Sequence, residues 1–493
     1  MSGSAAAVRE RIRNVLFLFP AALGRAGLLD RERGEEAFDL ALPVMVTGTI
    51  RTVLRTADFF MVSLALPAAA VAGLEFAFQY YFIGFGLALA LSSGTISVVS
   101  RFKGAGNHAR ADLAIKQSLW LAVLISLPLV AAAQLYSAPL VDLLTDDPAA
   151  IEQGAVYLRI VTYALLFRFW SMIAARALQG SGDTRTPMYV NLVIVPINIA
   201  LNAALIFGLG PFPELGIAGA AWGTTIAETL GAVIFFSLLV AGSYDVSLRL
   251  GGTQWDTALA RELVRVSAPL AGTRLVGTFG RFPFLFVLAT LGTPVVAAFA
   301  IGRRVIMLAM MPAWGYSTAS STLVGQALGA GDESEATAYG WDTTSIALVT
   351  QLLIAAVMAL FARPIATVFT AETVGMTVEF IRMFALAVGG FSVARTVRGA
   401  LRGAGDTSWP LYGKILGLAV RLAITALALP VGFAVSLGFV SIQPGLGMGV
   451  LAIYVAVVVD FYIQAAVNVA RFVSGEWQVV ARKAEGGSAA ADD

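Results

Sequence analysis

Apolar runs of about 20 residues, the length that crosses the hydrocarbon core of a bilayer, recur along this chain. The 493 residues are 58% hydrophobic and only 13% charged, whereas soluble domains are about 25% charged. So few charged residues could not cover the surfaces of several soluble domains. The sequence therefore predicts an all-α polytopic membrane protein with twelve transmembrane helices. The predicted spans are roughly 36–64, 68–98, 111–135, 153–178, 187–209, 216–241, 259–289, 294–327, 335–361, 374–401, 410–433 and 446–473.

A glycine-rich turn followed by a proline occurs once in each half of the chain. Gly180–Thr184 precedes Pro187, and at the same spacing Gly403–Thr407 precedes Pro410. Each half holds six predicted spans, an even number, so both halves enter the membrane from the same side, as in a parallel internal repeat. The prediction is therefore two six-helix lobes. The expected division is a cytoplasmic or interfacial segment 1–35, an N-lobe 36–245, a C-lobe 246–475 and a cytoplasmic tail 476–493.

Basic residues in the loops predict the orientation in the membrane. The N-terminal segment is rich in arginine, and the loop after the second span carries Arg101, Lys103 and Arg110. The loop after the third span carries acidic residues from Asp142 onward. We therefore expect a multi-pass protein of the cell membrane with both termini cytoplasmic. The acidic loop that begins at Asp332 does not fit this orientation, because no basic residue accompanies it in the sequence.

Several kinds of chemistry are not expected in this chain. It has no cysteine and one histidine, His108, so the thiolates and clustered imidazoles of zinc and haem sites are lacking. It has no phosphate-binding P-loop motif, which excludes the usual route to ATP hydrolysis. We expect no cofactor, no nucleic-acid partner and no metal beyond a possible sodium ion. The two glycine–aspartate turns are also like those of intramembrane aspartyl proteases, but both have the pattern of loop turns, so a hydrolase is a remote alternative.

Polar residues cluster within the spans of the first half. A charge in hydrocarbon is costly, so charged residues there should face a cavity or one another. Arg51, Arg55 and Asp58 share one face of the first span. Two interpretations stay open: an internal Arg55–Asp58 salt bridge, or an Asp58 carboxylate that takes a proton or a sodium ion in a cleft. Asn198 and Asn202, one turn apart in the fifth span, could ligate that ion or only bridge helices.

The sixth span adds a second polar pair. Thr224 and Glu228 lie one turn apart on one helical face. Glu228 is near the middle of the span and is a candidate coupling residue; a structural pair with Arg168 is the alternative. The candidate cation-binding residues are Asp58, Asn198, Asn202, Thr224 and Glu228.

The second half has a different charge pattern. Where the first half has Asp58, the repeat has Phe284, whereas Arg55 aligns with Arg281. Arginines outnumber acids across the spans, and an Arg421–Asp460 pair is the structural interpretation of the one obvious mid-span acid. The functional interpretation is a cleft that prefers anionic or zwitterionic amphiphiles to simple cations. The candidate substrate-cavity residues are Arg51, Arg55, Arg281, Arg421 and Asp460.

Four segments carry a family resemblance over nearly the whole chain after residue 36. The turn Arg176–Pro187, the helix Asn198–Gly208, the helix start Leu215–Thr224 and the helix end Val324–Gly331 resemble those of the MATE (multidrug and toxic compound extrusion) transporters. The resemblance implies twelve helices in two lobes, and export of substrate coupled to entry of sodium ions or protons.

The resemblance also implies roles for individual residues. An acid in the family's first helix falls on Asp58. In the DinF-like branch the cation site also uses residues that fall on Asn198, Asn202 and Thr224, although the family has an aspartate where this chain has Asn202. The NorM-like branch uses carboxylates in helices seven and ten, where this chain has arginines such as Arg274. The sequence therefore favours the DinF-like branch.

Together these features predict a secondary-active exporter of amphipathic small molecules, with no enzymatic activity. Asp58 is the expected coupling residue, H⁺ or Na⁺ the expected coupling ion, and Pro43 the expected hinge that lets the first span bend. We expect a monomer in the lipid bilayer. The alternative within the same superfamily is a flippase of lipid-linked oligosaccharides or lipids, which the arginine excess favours and the helix count does not.

Overall fold

The computed structural model describes residues 2–437 and 440–489. Helices account for nearly all of this described part. Their bounds are α1 Ser2–Arg25, α2 Arg31–Ala65, α3 Ala68–Gly104, α4 His108–Asp142, α5 Pro148–Gly180, α6 Arg185–Phe207, α7 Gly216–Ala241, α8 Thr257–Phe279, α9 Arg281–Thr290, α10 Thr293–Ala309, α11 Met311–Gly329, α12 Glu333–Leu360, α13 Ala362–Phe369, α14 Val374–Gly403, α15 Ser408–Ala426, α16 Val450–Val473 and α17 Glu476–Ala489.

Between α15 and α16 lies a short antiparallel ribbon, which the sequence did not predict. It consists of β1 Val435–Leu437 and β2 Val440–Ile442, with Val435 opposite Ile442.

Nine of the described helices are long and apolar enough to cross a bilayer, and the number is ten if α10 and α11 form one span bent by 42°. The predicted seventh span is divided into α8 and α9, and the predicted eighth into α10 and α11. Pro283 and Pro312 lie in the first turns of α9 and α11. Proline has no N–H for a bond to the preceding turn, which accounts for breaks at these two places.

The chain forms two compact units. The N-unit comprises Pro43–Ala271, Gly325–Gly331 and the residues from Lys483 onward, and the C-unit comprises the residues up to Leu42, Gly272–Val324 and Asp332–Arg482. The chain therefore passes from one unit to the other at Leu42/Pro43, at Ala271/Gly272, at both ends of Gly325–Gly331 and after Arg482. The expected division at 35/36, 245/246 and 475/476 stays a prediction about topology.

In the N-unit, glycines let the helix backbones approach closely. A Cβ on Gly73 of α3 would lie 2.7 Å from the backbone nitrogen of Gly154 of α5. On α7, Gly219 and Gly223 are four residues apart and both face α6, where added Cβ atoms would meet Leu205 and Asn202. Small residues at this spacing are typical of tightly packed membrane helices. They place the polar residues of α6 beside α7.

The core of the C-unit is aromatic. Phe299 of α10 packs against Phe284, Phe380 and Phe384, with ring centroids 5.2, 5.6 and 5.8 Å away. Phe284 and Phe380 are fully buried. This cluster joins α9, α10 and α14, and Arg421 of α15 packs its guanidinium over the Phe284 ring.

Candidate functional site

Asp58 of α2 meets the two asparagines of α6. The side-chain nitrogen of Asn202 donates a hydrogen bond to Asp58 Oδ1 at 2.8 Å and a second to Asn198 Oδ1 at 2.9 Å. Asn198 and Asn202 are buried and Asp58 is partly buried. The structure thus brings together three of the five predicted cation-site residues.

The other polar side-chain atom of Asn202 is its amide oxygen. Asn202 Oδ1 is buried and accepts no hydrogen bond within the described part of the chain. A buried polar atom without a partner is costly, and such atoms are uncommon in native structures. A Cβ on Gly223 would lie 2.0 Å from this oxygen. Gly223 therefore provides the space that the Asn202 amide occupies.

Glu228 belongs to a separate network with arginines. It forms a buried ion pair with Arg168 of α5, and its Oε1 lies 3.8 Å from an Arg51 nitrogen. Arg51 Nε donates to Asn191 Oδ1 at 2.8 Å. Asn191 was not singled out from the sequence, although it lies two turns before Asn198 on one face of α6. The structural interpretation of Glu228, a pair with Arg168, is the arrangement observed.

The two remaining N-unit candidates are Thr224 and Arg55. Thr224 is partly buried, and among the described residues it forms no hydrogen bond with Asp58, Asn198 or Asn202. The hydroxyl of the neighbouring Thr225 is buried and donates a hydrogen bond to the Ala221 carbonyl oxygen at 2.8 Å. The side chain of Arg55 lies outside the described residues, so the Arg55–Asp58 salt bridge stays a hypothesis.

Asp460 in the C-unit accepts from several donors at once. Gln464 Nε2 donates to its Oδ1 at 2.7 Å, while Arg421 and Lys414 lie 3.5 and 3.7 Å from its Oδ2. The pairing of Arg421 with Asp460 is the structural interpretation stated from the sequence. Lys414 and Gln464 were not predicted; their signal was a lysine and a glutamine inside apolar helices, where polar side chains are rare. Arg281 is exposed, and it is not among the partners of Asp460 in the described part of the chain.

The chain matches a known family in both halves. The MatE family model matches residues 43–204 and 269–427. A probable multidrug resistance protein NorM of Thermotoga maritima is 27% identical over 452 residues, which cover 90% of this chain and 93% of that protein. An FAD transporter of Shewanella oneidensis is 27% identical over 357 residues, 71% of this chain and 77% of that protein. The crystal structure of a MATE protein in the bent conformation has a TM-score of 0.81 at 20% identity, covering 92% of this chain and 97% of that one.

The family match covers more than half of the chain and confirms the predicted fold class. The structural similarity extends over both lobes of the twelve-helix MATE fold. The hydrolase alternative is set aside, because the relatives are transporters and not enzymes. The narrower assignment to the DinF-like branch stays a prediction. The chain therefore belongs to the MATE family of multi-pass membrane transporters.

Proposed function

We propose that this protein is a secondary-active exporter of amphipathic small molecules, driven by the entry of protons or sodium ions. Relatives named for multidrug resistance and for FAD transport support export of varied amphipathic cargo. They favour an exporter over a flippase of lipid-linked oligosaccharides. We also propose that it acts as a monomer in the plasma membrane with both termini cytoplasmic.

The observation that carries this proposal is the position of the Asn202 amide. Its NH₂ group lies between two oxygens, Asp58 Oδ1 and Asn198 Oδ1, at 2.8 and 2.9 Å. This NH₂ group occupies the position that a cation would take, because carboxylate and amide oxygens are the ligands that hard cations prefer. The buried Asn202 Oδ1 is a third oxygen that has no partner yet.

Ion entry would then require the Asn202 amide to turn. If the amide rotates by a half-turn, its Oδ1 faces Asp58 and can accept from a protonated carboxyl or contact a sodium ion. The NH₂ group must leave the space between the two oxygens at the same time. Because Asp58 is on α2 and Asn202 on α6, this exchange changes the link between the two helices. Coupling is reciprocal, so cargo that favours one arrangement must weaken ion binding by the same factor.

The test is ethidium efflux from proteoliposomes with proton and sodium gradients imposed separately. We expect one of the two gradients to drive efflux. Asp58→Asn should reduce gradient-driven efflux to the rate of liposomes without protein and leave the melting temperature nearly unchanged, because the amide keeps the hydrogen bond to Asn202. The control is Asp146→Asn, which alters an exposed acid in the loop between α4 and α5. Normal gradient-driven efflux by Asp58→Asn would contradict the proposal.

A further inference from the structure

Basic side chains accumulate in the helices of the C-unit, where they outnumber the acids that pair with them in the described part of the chain. Each of them interacts electrostatically with at least one other member of the group, which forms a connected set. We call this set the basic cluster. Its members are Arg274, Arg281, Arg303, Arg398, Lys414 and Arg421.

Among the described residues, Asp460 is the carboxylate that contacts the basic cluster, and it is already shared. It faces both Arg421 and Lys414, and Gln464 donates to its other oxygen. One negative charge can balance at most one of the two cations beside it. The rest of the basic cluster therefore carries uncompensated positive charge at membrane depth, which is costly and is generally found where a function requires it.

The donors of the cluster are also not saturated. Arg398 Nη2 donates to the neutral Gln464 Oε1 at 3.1 Å, but the Nε atoms of Arg398 and Arg421 are buried and have no partner in the described part of the chain. Arg274 is partly buried, and no described acid pairs with it. Guanidinium groups with spare donors match the several oxygens of a phosphate group, with which they form charge-assisted hydrogen bonds.

Aromatic rings line the same region. The guanidinium of Arg395 lies 3.9 Å from the ring centroid of Trp314, and that of Arg274 lies 5.7 Å from the same ring. Arg421 lies 3.9 Å from the centroid of Phe284. Trp314 is 36% exposed, so part of its ring is open to a ligand. Guanidinium planes and an indole beside them favour a flat aromatic body, by stacking and by cation–π attraction.

We propose that the basic cluster, together with Trp314, is a binding site for phosphate esters of flat aromatic compounds, which the exporter carries as cargo. The proposal rests on the proposed export function and names its substrate class. The phosphate neutralises the cluster and the ring stacks near Trp314. An anionic lipid headgroup offers the same phosphate chemistry, but its apolar part is an acyl chain and not a ring.

The test uses two fluorescent probes that share one ring system and differ in one phosphate, riboflavin 5′-phosphate and riboflavin. Binding to the purified full-length protein is followed by quenching of the probe's fluorescence, with no ion gradient present. We expect the phosphorylated probe to bind at least about tenfold more tightly, the minimum that one charge-assisted contact should give. Equal affinities for the two probes would overturn the proposal.

Variants separate a binding role from a structural one. Arg274→Gln should weaken riboflavin 5′-phosphate binding about tenfold or more and leave the melting temperature unchanged or higher, because it removes an unpaired charge and its repulsion of Arg398. The control Arg382→Gln removes an exposed arginine from α14 and should leave binding unchanged. Trp314→Leu should weaken both probes alike. Unchanged phosphate binding in Arg274→Gln, or a lower melting temperature together with equal loss of both probes, would contradict the assignment.

Two further arms identify the source of the phosphate and separate this proposal from the export mechanism. In nanodiscs, riboflavin 5′-phosphate should bind equally well with phosphatidylcholine alone and with added phosphatidylglycerol; displacement by phosphatidylglycerol would assign the site to lipid and overturn the proposal. Asp58→Asn should still bind the probe, since the site lies in the other unit. Failure of probe binding alongside normal ethidium efflux would remove this proposal and leave the export function standing.

Discussion

Glu228 lies between two arginines, and that placement decides what its loss would do. Removing one partner of a buried ion pair leaves an uncompensated charge, which costs about 3–5 kcal/mol. We expect Glu228→Gln to lower stability by about this amount, because Arg168 would be left without its carboxylate. Thermal unfolding in detergent measures the change.

A matched exposed acid and a paired replacement provide the controls for Glu228. Glu152→Gln, at an exposed position of α5, should be neutral. The double replacement Arg168→Met with Glu228→Leu should recover most of the lost stability, because well-packed apolar residues can replace a buried pair. A Glu228→Gln variant that keeps its stability but changes its ion requirement would place Glu228 in the coupling site instead.

Gly223 is the residue that leaves space for the Asn202 amide. A Cβ there would lie 2.0 Å from Asn202 Oδ1 and 2.9 Å from its backbone nitrogen. We expect Gly223→Ala to force α6 and α7 apart, to cost about 1–3 kcal/mol as other overpacked sites do, and to abolish gradient-driven efflux. Unfolding and ethidium efflux measure the two effects.

The control for Gly223 is on the same helix. Gly231→Ala places a Cβ whose nearest neighbours are 3.7 Å away, an ordinary contact. It should be neutral or stabilise by about 0.5–1 kcal/mol, because alanine is the better helix former. Equal behaviour of the two variants would show that the amide does not need the space at Gly223.

The helical spacing of residues 198 and 202 was enough to put both asparagines on one face, so that part of the site could be predicted. A link between these asparagines and Asp58 was one of two open interpretations of the residues, and the family resemblance favoured it, because nothing in the spacing tells which face of α2 meets α6. The role of Thr224 in the cation site stays a prediction. Thr224 and Thr225 are adjacent and chemically alike, and the packing of α7 buries Thr225. Contacts between helices depend on close approach at glycines, which a single sequence does not locate.

Replacing Pro43 should change how the whole of helix α2 bends. The helix continues through Pro43, although proline cannot form the bond to the carbonyl four residues earlier. Pro43→Ala restores that bond and should stabilise the protein by up to about 3 kcal/mol. If bending of α2 is a step in transport, efflux should slow while ion binding stays unchanged.

Another helical proline gives the matched comparison for Pro43. Pro128 lies inside α4 at an exposed position. Pro128→Ala should stabilise in the same way and leave efflux unchanged. If both variants transport normally, Pro43 is not a hinge that limits the rate.

The two divided spans show that apolar runs predict where a span lies but not whether its helix is continuous. The apolar runs near 259–289 and 294–327 are continuous in hydropathy, so each was predicted as one helix. The breaks occur at prolines near helix starts, and a proline in an apolar run is compatible with a kinked helix as well as with a broken one. Whether the helix kinks or breaks depends on the side chains packed against it. One of these is Leu418, whose side chain would lie 2.2 Å from a Cβ on Gly280.

At the scale of the whole molecule, the internal repeat was the most predictable feature. The two turns have the same backbone form, with positive φ at Gly182 (102°) and Gly405 (79°), and the family model matches once in each half. The aspartates of the two turns share one role and differ in another. Asp183 accepts from the backbone of Thr186 and Asp406 from that of Trp409, but Asp406 also accepts from Arg471 at 2.7 Å.

The acidic loop at Asp332, which had no basic partner in the sequence, has partners in the structure. Arg33 of α2 lies 3.2 Å from Glu335 and 2.6 Å from Asp342, and Arg482 of α17 lies 3.1 Å from Glu333. These contacts bring the start of α2, the loop before α12 and helix α17 together, so all three lie on one side of the membrane. Acidic residues have little weight in the positive-inside rule, and the arginines that balance them here are distant in sequence.

The side on which these elements lie can be tested directly, because the chain has no cysteine. Ala149→Cys and Ala330→Cys each add one thiol at an exposed position, the first in the first turn of α5 and the second in the loop before α12. If both termini are cytoplasmic, a membrane-impermeant maleimide should label Ala149→Cys in intact cells and should label Ala330→Cys only after permeabilisation. The reverse pattern would invert the topology and with it the direction in which Asp58 exchanges ions. Labelling of both variants in intact cells would contradict the odd number of predicted spans between the two positions, because five spans, the fourth to the eighth, should carry the chain to the opposite side.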